Sequence, residues 1–104
     1  MFARRVSMHL KPNRAAELTQ KLEEDIIPRL RNAKGFCDEI VFVSPSGKQV
    51  IAISLWDRAE SAEAYDRDTY QQVLKSLETL VEGTPQVKTY KVCNSTFHKI
   101  AVAI

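Results

Sequence analysis

Few side chains in this sequence could act on a small molecule, and they fall in three places. Arg5, Ser7 and His9 occupy alternate positions near the start. Ser54 and Trp56, the only tryptophan, close an apolar run, and Tyr65 and Tyr70 follow in an alanine- and leucine-bearing stretch. Each has an active and a passive reading. The Trp56 indole offers a flat apolar wall and one N–H donor for an aromatic ligand, or simply plugs a core. His9 can act as a general base, or it is a half-exposed strand-end histidine. Arg5 is a fixed cation beside a bound anion, or half of an intersubunit ion pair. Tyr65 and Tyr70 are pocket hydroxyls or packing residues. With an unperturbed pKa of about 10, Tyr65 is a poor base but a good donor to an anionic oxygen.

Other chemistries find no support. The 27% of charged residues are mixed in sign to a net +2, with no basic block interleaved with aromatics for a nucleic acid. Glu23–Glu24 and Asp66–Asp68 have no histidine or cysteine at metal-ligand spacing, so no metal is expected. No G-x-G-x-x-G, P-loop or G-x-S-x-G motif occurs. No run approaches the roughly 20 apolar residues of a membrane helix, and "MFARRVSMHL" lacks the apolar core of a signal peptide. Cys37 and Cys93 have no C-x-x-C spacing and read as buried, reduced thiols of a cytoplasmic protein. Residues 1–104 read as one domain.

The elements that must position these groups follow from periodicity. Phe2 to Lys11 alternates, with Val6, Met8 and Leu10 on one face and Arg5, Ser7 and His9 on the other, so a strand is expected. Asn13 is placed as a helix N-cap. Leu18, Leu22, Ile26 and Leu30 form one helical stripe, bent where Pro28 cannot donate to the Glu24 carbonyl. Gly35 supplies a left-handed end. "GFCDEIVFVS" and "KQVIAISLW" read as strands joined by the "PSG" turn into a hairpin. A helix should open at Asp57, with Glu60 at capping-box spacing, and falter near Asp68. Thr69 and Gln72 repeat the box before a second segment, which "EGTP" ends. "QVKTYKVCNSTF" is the fourth strand, followed by the apolar tail "KIAVAI". The order β-α-β-β-α-β implies an α+β, ferredoxin-like fold with an antiparallel sheet and both helices on one face. "IVFV" is apolar on both faces and needs cover on both, so a homodimer through sheet faces is expected. The C-terminal arm bearing His98 would add to it.

The element order, "NAKGF", "SLWDRAESAEAY" and "VKTYKV" together resemble the antibiotic biosynthesis monooxygenase family across nearly the whole chain. The resemblance implies a dimeric α+β barrel and a site between sheet and helices, with Trp56 at a position where family members place a pocket tryptophan. It further implies a cofactor-independent monooxygenase acting on an aromatic quinol or polyketide-type small molecule. On that reading His9, Arg5 and Tyr65 are catalytic, and Trp56, Ser7, Ser54 and Tyr70 bind substrate. The haem-degrading branch of the family uses an asparagine, a tryptophan and a histidine ligand. Arg5 stands at the asparagine position and Leu74 near the histidine position, so only Trp56 matches. The alternatives are a non-catalytic small-molecule-binding homodimer and an atypical haem binder.

Overall fold

The computed structural model describes residues 1–100. β1 (Phe2–Leu10) leads into α1 (Ala15–Lys21), a π-helical segment (Leu22–Ile26) and α2 (Ile27–Arg31). β2 (Phe36–Val43) and β3 (Gln49–Trp56) form the hairpin, α3 (Ala59–Asp68) and α4 (Tyr70–Leu77) follow, and β4 is Val81–Lys91. The sheet order is β2-β3-β1-β4, antiparallel throughout. This is the ferredoxin-like arrangement expected from the element order.

The sheet buries one face. Val6, Met8 and Leu10 of β1 and Val50, Ala52 and Trp56 of β3 pack beneath Leu18, Ile26 and Leu30 of the first helical arm. Ala62, Tyr65, Tyr70, Val73 and Leu77 complete the core from α3 and α4. The opposite face carries Ile40 and Phe42, both exposed.

Pro28 acts one turn earlier than expected. The helix widens before it, and the Ile27 N–H donates to the Leu22 carbonyl, an i to i−5 bond. A π turn absorbs the lost bond and keeps Leu22, Ile26 and Leu30 toward the sheet. Asn13 is not the N-cap: it sits in a left-handed turn at φ 60, a conformation asparagine tolerates. α1 instead follows Arg14 without a side-chain cap. Nor do Asp57 and Thr69 cap their helices through side chains. The Asp57 carboxylate accepts from the Ser61 hydroxyl at 2.6 Å instead. The break between α3 and α4 falls at Thr69, as the repeated box implied.

The fourth strand begins five residues before the expected start at Gln86 and stops at Lys91. Its register against β1 shifts between Ser7 and His9, where Gly83, Thr84 and Pro85 bulge out. Glycine at φ 70 and a proline without an N–H suit a bulge on an edge strand. Both cysteines are free, but Cys93 is exposed and Cys37 half-buried, because the former lies beyond the shortened strand. His98 meets the Asp38 carboxylate at the start of β2. Residues 101–104 of the apolar tail lie outside the described part.

Gly35 joins the two arms. It is left-handed at φ 84, its carbonyl accepts from the Asp57 N–H at 2.8 Å, and an added Cβ would stand 2.3 Å from the Asp57 Oδ1 and Ser61 Oγ atoms. Gly35→Ala should therefore lower unfolding free energy by at least about 2 kcal/mol, combining left-handed strain with overpacking. Urea denaturation checks this; an unchanged midpoint would contradict it.

Candidate functional site

Sheet register assembles a polar rung on an otherwise apolar face. Glu39 of β2 lies opposite Ser54 of β3, Ser54 opposite Arg4 of β1, and Arg4 opposite Thr89 of β4. Cross-strand partners point to the same side of a sheet, here toward the helices.

Arg4 is a nearly buried cation. Its side chain is 4% exposed, and Nη2 donates to Asp66 Oδ1 at 2.7 Å across to α3. The guanidinium lies 3.9 Å from the Tyr70 ring centroid and 5.3 Å from that of Tyr65, so both rings present π density to it. The aromatic contacts continue: Tyr65 to Trp56 at 5.1 Å and Trp56 to Phe36 at 5.6 Å, centroid to centroid. Behind them the Trp56 indole N–H donates to Ser54 Oγ at 2.9 Å, and Ser54 donates to the Arg4 carbonyl at 3.3 Å. Trp56 is fully buried. Its donor is committed to Ser54, so its role in this geometry is to hold Ser54 and Tyr65 in place.

Arg4, Glu39, Ser54, Tyr65 and Tyr70 share a cavity roofed by Leu22, Ile26 and Leu30. Its open volume is about 40 Å³, enough for a few waters but not for an aromatic ring. A separate groove of about 440 Å³ lies outside, bounded by Phe2, Gln71, Val87 and Thr89. Arg4 and Tyr70 line both spaces, so they form the partition between them. At its present size the cavity admits a ring only if its walls move.

The titratable groups of the cavity are perturbed in ways that burial dictates. Desolvation pushes the Glu39 carboxyl up to about 7, against the pull of Arg4. Burial likewise pushes the Tyr65 phenol up to about 12, and raises Tyr70 with Arg4 acting the other way. The Tyr70 hydroxyl is buried beside Arg4 and its proton has no acceptor among the described residues. An unmatched buried hydroxyl is costly and marks a place where a ligand oxygen would be welcome.

Of the residues chosen from sequence, Ser54, Tyr65 and Tyr70 come together in the cavity and Trp56 stands directly behind them. Arg5, Ser7 and His9 are not brought there. They alternate out of phase with Arg4, Val6 and Met8, and so lie on the opposite face of the sheet. Sequence reasoning passed over Arg4 and Glu39. The signal was present: Arg4 shares parity with Val6, Met8 and Leu10, a lone charge on the apolar side of the strand.

Solved structures with this architecture span nearly the whole chain. A monooxygenase, ActVA-Orf6 of Streptomyces coelicolor, solved with nanaomycin D, superposes with TM-score 0.77 at 16% identity over 94% of this chain and 92% of that one. A candidate antibiotic biosynthesis monooxygenase of Deinococcus radiodurans gives 0.74 at 18% identity, covering 91% and 95%. The chain has the fold of the antibiotic biosynthesis monooxygenases. An MhuD variant holding manganese protoporphyrin IX shares this monooxygenase fold as well, with TM-score 0.74 at 10% identity over 92% and 98% of the two chains. No protein-family model matches the sequence, and no curated protein does.

The residues present do not fit a haem. α3 and α4 carry no histidine, Leu74 stands where a ligand would be sought, and Arg5 lies on the far face. His9 is on that same far face and His98 lies beyond β4. Among the described residues no three His, Cys, Asp or Glu side chains gather as a metal site.

Two stability predictions follow from this electrostatic balance. Between 4.5 and about 7, folded Glu39 keeps a proton that the unfolded chain has released, so its ionisation lowers stability as pH rises through that window. Glu39→Gln should match wild type near pH 4 and exceed it above about pH 7 by on the order of 1–3 kcal/mol. Urea melts at both ends check this; a pH-independent difference would contradict it. Tyr70→Phe removes an unpartnered hydroxyl and should leave thermal stability unchanged or raise it by about 1 kcal/mol, whereas a clear loss would show that the hydroxyl is bonded.

Proposed function

We propose that this chain is a monooxygenase-like protein that binds a small aromatic quinol between sheet and helices and works without metal or flavin. The observation that carries the reading is the buried Arg4 guanidinium, stacked on Tyr70 beside an unpartnered phenol in an apolar cavity. A cation and a free donor converging in a dry site favour an aromatic oxyanion over the neutral ring. Such an anion is electron-rich enough to pass one electron to dioxygen, the oxidant, and the ring radical and superoxide so formed then combine. Tyr65, with its phenol held protonated, serves as donor and ring-stacking wall. The ring would come in from the outer groove, moving Arg4 away from Asp66 and opening the partition. That the Streptomyces coelicolor monooxygenase was solved with a bound ligand, nanaomycin D, supports a ligand-binding reading of this fold.

The assembly we propose is a cytoplasmic homodimer closed through the outer sheet face. Ile40 and Phe42 stand exposed there, with Ile51, Ile53 and Leu55 on the same side of the hairpin. Antiparallel sheets keep one face wet only where that face is polar, and the β2–β3 part of this one is apolar. In such a dimer Arg5, Ser7 and His9 would lie at the interface, and the His98 contact with Asp38 would lay the C-terminal arm across its edge.

Trp56 reports on the cavity through Tyr65. Naphthoquinol or anthrone should quench indole emission saturably at micromolar concentration, and Arg4→Met or Tyr70→Phe should weaken that binding about tenfold, the value of one hydrogen bond or cation contact. Oxygen uptake should accompany binding in wild type. Emission unaltered by any ring, with no uptake, would contradict the reading. Light scattering should give a dimer and Phe42→Asp a monomer; a wild-type monomer at micromolar concentration would remove the dimer.

A further inference from the structure

We infer that Glu39 is the group that receives the proton when a ring hydroxyl becomes an oxyanion against Arg4 and Tyr70. The inference deepens the proposed function and rests on it. Three observations place Glu39 there. It lines the same cavity as Arg4, Tyr65 and Tyr70. It closes one end of the polar rung, with Ser54 between it and Arg4. Two strand spacings separate Arg4 from Glu39, about 10 Å backbone to backbone. A ring lying over Ser54 is therefore within reach of a cation at one end and a carboxylate at the other.

The charged and titratable groups facing this carboxyl can be named element by element. β1 contributes Arg4, α3 Tyr65 and α4 Tyr70, while Leu22, Ile26 and Leu30 of the first helical arm are apolar. Neither tyrosine can act as the acceptor, because burial raises both phenols. Arg4 has no acceptor capacity. Among the described residues Glu39 is the one cavity side chain able to take a proton at neutral pH, and burial tunes it there: a carboxyl pushed up to about 7 is matched to proton transfer under working conditions.

The step balances without an outside reagent. The ring O–H bond breaks, its electron pair stays on the ring oxygen, and the proton forms an O–H bond on the Glu39 carboxylate. The cavity gains an oxyanion and loses a carboxylate, so its net charge does not change. Arg4, paired with Asp66 at rest, takes the ring oxygen as its direct anionic partner, and the net charge of the cavity stays constant. This constancy lets a dry site carry an anion that would otherwise be expelled.

Linkage of proton uptake to binding tests the inference with para-nitrophenol, which titrates near neutrality and absorbs visibly as the anion. Calorimetry at about pH 8, in buffers of different ionisation enthalpy, counts protons taken up per ligand bound, since a bound oxyanion forces Glu39 to protonate. Wild type should bind the nitrophenolate and take up close to one proton. Glu39→Gln should still bind it and take up none, and any quinol turnover should fall about 10²- to 10⁴-fold. Thermal melts confirm that the variant is folded. Equal proton uptake by wild type and Glu39→Gln would overturn the inference while leaving the cavity reading intact. Failure of wild type to bind any phenol would remove both.

Discussion

A buried arginine governs this structure. Arg4 brings a full positive charge onto the apolar side of a central strand, where an unpaired ion would cost several kcal/mol. The surroundings answer that charge from three directions. Asp66 reaches it from α3, Tyr70 and Tyr65 stack against it from the helices, and Glu39 faces it from two strands away. Of these, Asp66 alone among the described residues is a direct counter-ion. Asp66 is half exposed, the rings offer only quadrupoles, and burial draws Glu39 toward its neutral form. An entering oxyanion would have to take the place of Asp66 on this cation.

The rest of the fold can be understood as support for that arrangement. Pairing of β1 with β3 sets Ser54 beside Arg4, and Trp56 pins the Ser54 hydroxyl from behind. The π turn before Pro28 accommodates the missing proline N–H while Leu22 and Ile26 stay over the cavity. On the other side, Asp25 links that segment to α4 through the Ser76 hydroxyl at 2.7 Å and holds Arg29 at 2.9 Å. These bonds keep the carboxyl of Asp25 below its ordinary range, with the Ser76 contact the larger cause. The two helical arms are thus clasped over the sheet, and the closed cavity is the result.

Much of this was legible in the sequence, and the exceptions are instructive. Alternation in β1 and β3, the four-residue stripe from Leu18 to Leu30 and the turn at Gly47 gave the element order, and the order gave the topology. Tyr65 and Tyr70 were found because they lie on a helical stripe that must face the sheet. The polar face of β1 misled because Arg5, Ser7 and His9 look like a site, while chemistry in a dry cavity depends on the rarer charge among apolar neighbours. Strand parity would have pointed to Arg4, which the sequence reading passed over. Glu39 was harder to see: its strand is apolar on both faces, so alternation does not say which side turns inward, and only the pairing with Ser54 decides it. Capping also misled, because the Asp57 carboxylate accepts from the Ser61 side chain beside Gly35 and not from the free backbone N–H groups of its helix.

The central claim is that Arg4 and Tyr70 form a partition that an aromatic oxyanion opens and then occupies. The most direct test is a crystal structure of the protein soaked with a hydroxynaphthoquinone. The account predicts the ring over Ser54, its oxygen within hydrogen-bond distance of Arg4 and the Tyr70 hydroxyl, and Asp66 released. A ring bound on the opposite face of the sheet near Arg5 and His9, with the Arg4–Asp66 pair intact and the cavity still closed, would contradict it.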